Sequence, residues 1–260
     1  MRVERAILLE GLWGSEDVRI EAVPLTFQPT SIAREIVKEE WERKPIDAQD
    51  LPLWRYEGYI VQQDRLVLQV SLCTYRWHFV LRHQNYKTQG DYPNPLSATT
   101  LIHTQDNKII LGIRKGSDQG NTLHAVGGGF IDPLPGPEGT YIPENPFDTS
   151  AREITEETSL KQRDFSKESF SMLGIAWGSN HDTTCVMHAP VDVLSEDIDI
   201  GAPEHAELVK VGIESSSIRQ VLSKGHISGR EGTPATDHLI LALELLIANR
   251  RERENNDPNH

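Results

Sequence analysis

Glu153, Glu156 and Glu157 are three carboxylates spaced at i, i+3 and i+4. On a helix this spacing places all three on one face. Like charges so close together repel each other, so the cluster is costly unless a cation lies against it. Carboxylate oxygens are the ligands that hard divalent cations prefer, above all Mg²⁺, with Mn²⁺ as a second candidate. The three glutamates therefore predict a metal site.

The same segment also carries an apolar stripe. Phe147, Ala151 and Ile154 are spaced by four and three residues, and Thr158 extends the row. At 3.6 residues per turn the stripe lies roughly opposite the carboxylates, so it can anchor a helix over about residues 148–159 in a core. An acidic run without further context is usually the solvated face of a surface helix.

The context of the acidic helix favours the metal site. Gly127, Gly128 and Gly129 precede it, and Glu144 lies eight residues before Arg152. A glycine run lets the backbone approach a phosphate or a metal closely, although alone it is equally a bulge or a tight turn. The pattern Arg-Glu-aliphatic-x-Glu-Glu is expected by chance in about one chain of this length per thousand.

The whole segment resembles the signature of the Nudix hydrolases, Gly-x5-Glu-x7-Arg-Glu-aliphatic-x-Glu-Glu-x-Gly-aliphatic. Two positions depart from it. Ser159 stands where the family has a glycine, which would suit a left-handed helix cap that serine adopts only at a cost. Gly129 lies fifteen residues before Glu144 instead of six, and the extra residues 132–143 predict a surface loop beside the site. The matching residues are Glu144, Arg152, Glu153, Ile154, Glu156, Glu157 and Leu160.

The resemblance implies a metal-dependent hydrolase of phosphoanhydrides. Such a reaction needs a water aimed at phosphorus and positive charge over the developing oxyanions, both of which a divalent metal supplies. The implied metal site comprises Glu153, Glu156, Glu157, Gly129 and Glu144. Arg152 is expected to orient Glu156, one helical turn away, with a surface ion pair as the alternative. For Glu144 the alternative is a solvated loop charge.

Further candidates lie outside the helix. In this family a catalytic base or further metal ligand often comes from outside the helix, and Glu204 and Glu207 are the candidates. Glu207 begins an apolar strand and is favoured as catalytic, while Glu204 is also a candidate substrate-binding residue. Arg114 ends a strand and is a candidate phosphate contact, together with the backbone of Gly128. Tyr75 belongs to an aromatic run that suits either a base-stacking wall or a core. Turn residues and solvated strand-end charges are the alternatives for Glu204, Glu207 and Arg114. His181 and Asp182 are assigned to a turn between strands.

Composition excludes several classes of function. The net charge of −13 over 260 residues argues against non-specific nucleic-acid binding. Only two cysteines are present, Cys73 and Cys185, and they stand far apart, so a reducing, cytoplasmic location without disulfides is expected. No apolar segment approaches the length of a membrane span. The expected partner is a small nucleotide substrate, and a homodimer stays open because many Nudix enzymes are dimers.

Element patterns predict an α+β fold. The resemblance makes it a Nudix-type α/β/α sandwich with a mixed sheet between helices. Prolines and glycine at 89–95 suggest a boundary between an N-terminal α+β region, 1–93, and a hydrolase domain, 94–250. A helix over about 234–250 precedes a polar tail, 251–260, that is expected to be disordered.

The N-terminal region resembles the extension of a Nudix subgroup that cleaves UDP-glucose and UDP-galactose. This implies a nucleoside diphosphate sugar as substrate, with a nucleoside monophosphate and a sugar phosphate as products. Two alternatives remain at this stage. One is the same chemistry on ADP-ribose, a dinucleotide or a nucleoside triphosphate, and the other is a non-catalytic nucleotide-binding module, which the intact glutamates disfavour. The base, the sugar and the attacked phosphorus stay open.

Overall fold

Residues 5–43, 49–82, 91–116 and 120–256 are described by the structure, which is a computed structural model. Its helices are α1 (Ser31–Glu42), α2 (Tyr75–Leu81), α3 (Pro146–Glu157), α4 (Ser216–Lys224) and α5 (Asp237–Asn256). Its strands are β1 (Ala6–Trp13), β2 (Val18–Thr26), β3 (Pro52–Gln62), β4 (Arg65–Thr74), β5 (Leu96–His103), β6 (Lys108–Arg114), β7 (Leu123–Ala125), β8 (Gly129–Phe130), β9 (Pro133–Pro135), β10 (Tyr141–Pro143), β11 (Ser171–Trp177), β12 (Thr183–Pro190) and β13 (His205–Gly212).

A mixed sheet of eight strands carries helices on both faces. Its path is β1-β11-β12-β5-β6-β13, with β8 paired to β5 and β7 paired to β6. Strands β12 and β5 are parallel, and their neighbours are antiparallel. In β12, Cys185 and Met187 join the core under α3, whereas Val186 joins the core under α4 and α5. This alternation is expected of a strand buried on both faces. The predicted α+β fold with a mixed sheet between helices is confirmed.

The N-terminal region contributes strands to two different sheets. Strands β2, β4 and β3 form a separate three-stranded sheet, while β1 pairs with β11 at the edge of the large sheet. Trp54 and Leu68 of the small sheet belong to the same apolar core as Phe147 of α3. The division at residues 93 and 94 stays a prediction, and the described residues on its two sides share a core.

Several element boundaries differ from the sequence expectation. Helix α5 continues to Asn256, so the disordered tail expected from residue 251 is wrong for 251–256. Arginine and glutamate in this stretch are good helix formers and extend the helix. Residues 257–260, and 89–90 of the expected boundary, lie outside the described residues. Among the helices of the described part of the chain, none is long and apolar enough to cross a bilayer.

The insertion at 132–143 is a hairpin instead of an irregular loop. Strands β9 and β10 pair antiparallel, from Tyr141 opposite Pro135 to Pro143 opposite Pro133. The reversal uses Glu138 and Gly139, which both have a positive φ. The backbone N–H of Glu144 donates to the carbonyl of Asp132 at 2.9 Å. This bond closes the hairpin at its base, so the insertion returns the chain to the start of α3.

Candidate active site

Helix α3 is formed by local signals at its start and by burial of one face. The Asn145 side chain accepts a hydrogen bond from the N–H of Phe147 at 2.9 Å, and Pro146 occupies the first turn. Phe147 and Ile154 are fully buried. The predicted apolar stripe is therefore confirmed, and its burial fixes the direction in which the glutamates of α3 point.

The end of α3 differs from the expectation for Ser159. Thr158, the C-cap, is extended, and Ser159 has no positive φ, so no left-handed residue is needed. The Thr158 hydroxyl instead donates to the carbonyl of Ile154 at 2.6 Å. Ser159 exchanges two hydrogen bonds with Asp199, both of 2.9 Å. The departure from the family glycine thus carries no backbone strain here.

The glutamates of α3 face a fork in the large sheet. Strands β5 and β6 pair directly only near Ile102 and Ile110, and then β8 pairs with β5 while β7 pairs with β6. The glycine run connects β7 to β8 within the fork. The N–H of Gly127, whose φ is +87°, donates to Glu157 Oε2 at 2.6 Å. A Cβ on Gly129 would overlap the Glu153 carboxylate, so a side chain there would displace that carboxylate.

Three carboxylates gather at this fork. Glu153, Glu157 and Glu204 all line one cleft, and Glu157 is only 6% exposed. Burial, and then the like charge of Glu157, raise the pKa of Glu153 to about 7. Burial and Glu157 also raise the pKa of Glu204. The pKa of Glu157 is lowered, because hydrogen bonds from His205 and Gly127 outweigh its burial. The fork therefore concentrates negative charge that the described side chains only partly compensate.

Two histidines support Glu157 from the sheet. His205 Nε2 lies 3.5 Å from Glu157 Oε2, and His205 Nδ1 lies 3.1 Å from His124 Nε2. Burial, and then His205, lower the pKa of His124 to about 4, so His124 is neutral at neutral pH. Gly112 makes room for this pair, since a Cβ there would lie 3.0 Å from both rings. The sequence gives little sign of either histidine, because neither belongs to the helix signature.

Arg152 joins the loop before α3 to the helix. Its Nη2 lies 3.0 Å from Glu144 and 3.3 Å from Asp132, and its Nη1 lies 2.6 Å from Glu153. Glu144 is 8% exposed and also accepts a 2.7 Å hydrogen bond from the Thr149 hydroxyl. Glu144 does not line the cleft. It holds Arg152, which in turn holds the Glu153 carboxylate, so its contacts assign it a supporting position.

Glu156 and Glu207 lie outside the cleft. The Glu156 side chain is 58% exposed and reaches Arg152 at 3.5 Å. Glu207 pairs with the Arg230 guanidinium through both carboxylate oxygens, at 2.9 and 2.5 Å. The expectation that Glu207 points into the site is wrong. A bulge puts His205 opposite Arg114 but Glu207 opposite Ile113, so the extra residue changes the face on which Glu207 lies.

The cleft itself has a volume of about 690 Å³, which suits a ligand of nucleotide size. The structure brings Tyr75, Arg114, Gly128 and Glu204 to its lining, as expected for candidate substrate contacts. Arg114 Nη2 lies 3.9 Å from Glu204. Tyr75 comes from α2, so the N-terminal region forms part of the wall. The insertion 132–143 contributes its first residue, Asp132, to the lining of the cleft.

The donor atoms at the fork fit a hard divalent cation. Glu157, Glu204 and His205 offer ligand atoms within 4.8 Å of one another, the one such group among the described residues. Glu153 adds a carboxylate beside the backbone of Gly129. The raised pKa of Glu153 shows that its charged form lacks compensation in the protein alone. Oxygen donors with unbalanced negative charge are the setting in which Mg²⁺ or Mn²⁺ binds.

No protein-family model and no curated protein matches the chain. The solved NUDIX domain of Shewanella oneidensis NrtR, complexed with ADP ribose, is 15% identical over 64% of this chain and 94% of that one, with a TM-score of 0.42. A C. elegans Ap4A hydrolase is 12% identical over 59% of this chain and 98% of that one, with a TM-score of 0.37. A NUDIX hydrolase from Nitrosomonas europaea is 18% identical over 59% of this chain and 88% of that one, with a TM-score of 0.38. At identities and TM-scores this low, the likeness carries no conclusion about the function of this chain.

Proposed function

We propose that the chain is a divalent-metal-dependent Nudix hydrolase that cleaves the phosphoanhydride of a nucleoside diphosphate sugar. Its products are a nucleoside monophosphate and a sugar phosphate. The observation that carries the proposal is the convergence of Glu153, Glu157 and Glu204 on the glycine-lined fork, at one wall of a nucleotide-sized cleft.

Each residue at the fork has a distinct part in this reaction. Glu153 and Glu157 would hold the cation, with the Gly129 backbone beside them. When bound, the cation supplies positive charge against the phosphate oxygens and makes the attacking water more acidic. Arg152 fixes the Glu153 carboxylate. Arg114, which lines the cleft 3.9 Å from Glu204, would contact the phosphates.

Glu204 is the proposed proton acceptor for the attacking water. It lies at the cleft beside Glu157, whereas Glu207 is held by Arg230 on the surface. A carboxylate that accepts a proton near neutral pH needs a pKa above its ordinary value, and burial together with Glu157 shifts the pKa of Glu204 in that direction. The variants Glu204→Gln and Glu207→Gln therefore form a matched pair. Only the first is expected to lose activity.

A substrate panel tests the reaction. UDP-glucose with Mg²⁺ should yield UMP and glucose 1-phosphate, detected by chromatography of the products. Parallel reactions with ADP-ribose, a dinucleotide and UTP test the neighbouring substrate classes. Turnover of ADP-ribose without turnover of any sugar nucleotide would replace the proposed substrate. Nucleotide binding without hydrolysis under Mg²⁺ or Mn²⁺ would point to a non-catalytic module.

A further inference from the structure

Asp182 and His238 form a second polar group in the cleft, apart from the carboxylates at the fork. Asp182 comes from the turn between β11 and β12, and His238 lies in the first turn of α5. His238 Nε2 lies 3.2 Å from Asp182 Oδ1, and both residues line the cleft. Although burial opposes charge on each, their mutual attraction lowers the pKa of Asp182 and raises the pKa of His238. Each side chain therefore favours the charged form of the other.

The turn that carries Asp182 is held rigidly from several sides. The His181 ring stacks on Tyr92 with centroids 3.4 Å apart, and the N–H of Ser179 donates to Asp237 at 3.2 Å. A Cβ on Gly178 would lie 2.5 Å from His238 Nε2, so this glycine lets the turn approach the histidine. Groups positioned by such a shell keep their geometry before a ligand arrives.

The hydrogen-bonding capacity of the pair is incompletely used. Asp182 Oδ1 and His238 Nε2 are buried and lie 3.2 Å from each other, although their contact lacks regular hydrogen-bond geometry. A ligand in the cleft would therefore meet the second polar atom of each side chain, Asp182 Oδ2 and His238 Nδ1. The pair is not part of the metal-capable group found among the described residues.

Aromatic rings connect this pair to the fork. Phe130 directly follows Gly129, which lies against Glu153. The His78 ring of α2 contacts Phe130 edge-on with centroids 5.4 Å apart, and its charge acts on Asp182. One cleft thus contains two polar groups, the carboxylates at the fork for phosphate chemistry and a second group with one carboxylate and one imidazole.

We propose that Asp182 and His238 bind the hydroxyl groups of the glycosyl part of the substrate, the part beyond the diphosphate. This rests on the proposed function. A carboxylate accepts hydrogen bonds from hydroxyls and an imidazolium donates to them, so the pair matches a polyol, which both donates and accepts. A terminal phosphate would instead meet the negative charge of Asp182. The pair accordingly selects a sugar nucleotide over a nucleoside triphosphate.

The test compares two substrates in the full-length protein with Mg²⁺. We expect Asp182→Asn and His238→Gln to lower kcat/KM for UDP-glucose by about ten- to hundred-fold, the usual cost of losing a hydrogen bond to a charged group. For UTP, Asp182→Asn should leave kcat/KM unchanged or raise it. The surface variant Glu207→Gln is the control and should leave both values unchanged.

The ratio of the two kcat/KM values distinguishes recognition from stability. A variant that merely folds less well lowers both values equally and leaves the ratio unchanged, and that result would overturn the proposal. Thermal unfolding of each variant records the structural contribution separately.

Failure of the proposed function has a different signature. If the wild type hydrolyses neither UDP-glucose nor UTP, the reaction assignment fails, and calorimetry with UDP-glucose and UDP tests the subsite directly. Tighter binding of UDP-glucose than of UDP, with the difference lost in Asp182→Asn, supports the subsite. Equal binding of the two nucleotides by the wild type would reject it.

Discussion

The two ends of the cleft contrast in how their charges are balanced. At the fork, Glu153, Glu157 and Glu204 place like charges together, and the pKa of Glu153 rises to about 7 because of burial and the charge of Glu157. At the other end, Asp182 and His238 carry opposite charges 3.2 Å apart. The first arrangement leaves negative charge that a bound cation would compensate, whereas in the second the opposite charges attract each other. We therefore expect the like charges of the first group to lower the stability of the metal-free protein.

The largest expected effect is on catalysis at the acidic end. Glu157→Gln removes the carboxylate that the Gly127 N–H and His205 position, and we expect kcat to fall about a thousand-fold, or about 4 kcal/mol. Hydrolysis of UDP-glucose with Mg²⁺ measures the loss, and circular dichroism checks that the fold persists. Activity near that of the wild type would remove Glu157 from the proposed metal site.

The next effect is on stability at the base of α3. Arg152→Met leaves Glu144 buried without its cation, which should cost about 3 kcal/mol of unfolding free energy. Urea denaturation measures this cost. The double variant Arg152→Met/Glu144→Gln should recover part of it, because the stranded charge is then absent. Strictly additive costs would mean that the two side chains are not coupled.

Metal binding should stabilise the acidic end. Mg²⁺ at about a hundred times its dissociation constant is expected to add about 2.7 kcal/mol to the folded state and to raise Tm. Scanning calorimetry in EDTA and in excess Mg²⁺ measures the shift. The variant Glu157→Gln should show little of this rise in Tm. An equal shift in that variant would place the cation elsewhere.

In metal-free protein, neutralising Glu153 and neutralising Asp182 should change the free energy of unfolding in opposite directions. The raised pKa of Glu153 means that its charged form is disfavoured on folding, so Glu153→Gln should stabilise by about 1–2 kcal/mol at pH 8. This gain should grow as the pH rises above 4.5 and be complete above about 7.

Asp182→Asn should instead destabilise, by about 1 kcal/mol. Because the pKa of Asp182 is lowered, its ionised form stabilises the fold above pH 3.8. Because the pKa of His238 is raised, its protonated form stabilises the fold below pH 6.5. The penalty should therefore be largest between these values and shrink as the pH rises through the pKa of His238. Chemical denaturation of both variants from pH 5 to 8 tests the opposite signs of the two effects. Destabilisation by both variants, or stabilisation by both, would contradict the contrast between the two groups.

The smallest effect is expected on the surface beside the cleft. Glu207→Gln breaks an exposed ion pair with Arg230, which should cost less than about 1 kcal/mol. Hydrolysis of UDP-glucose should stay within about two-fold of the wild type, because the side chain lies outside the cleft. A large loss of kcat would restore Glu207 as a catalytic candidate.

Local sequence patterns predicted which helices and strands form better than they predicted where those elements begin and end. The apolar stripe of α3 depends on near neighbours in the chain and is found in the structure, whereas the helix begins at Pro146, after a cap at Asn145, and not at about residue 148. Helix α4 was missed, although Ser215 as N-cap, the apolar Ile218 and Val221, and Gly225 with a φ of +74° are local signals that could have found it. The polar residues after Arg250 suggest disorder, but arginine and glutamate also favour helix, and α5 continues to Asn256.

The sequence by itself determined which carboxylates of α3 lie near one another, because helical periodicity sets which side chains share a face, although Glu156 lies outside the cleft. It could not decide which of Glu204 and Glu207 enters the cleft. A bulge at His205 decided that, and bulges depend on pairing with a strand about ninety residues away. The same holds for His124, His205, Asp182 and His238, which lie far apart in the chain. Only the tertiary structure brings such residues together, since their contacts are set by sheet order and by helix packing.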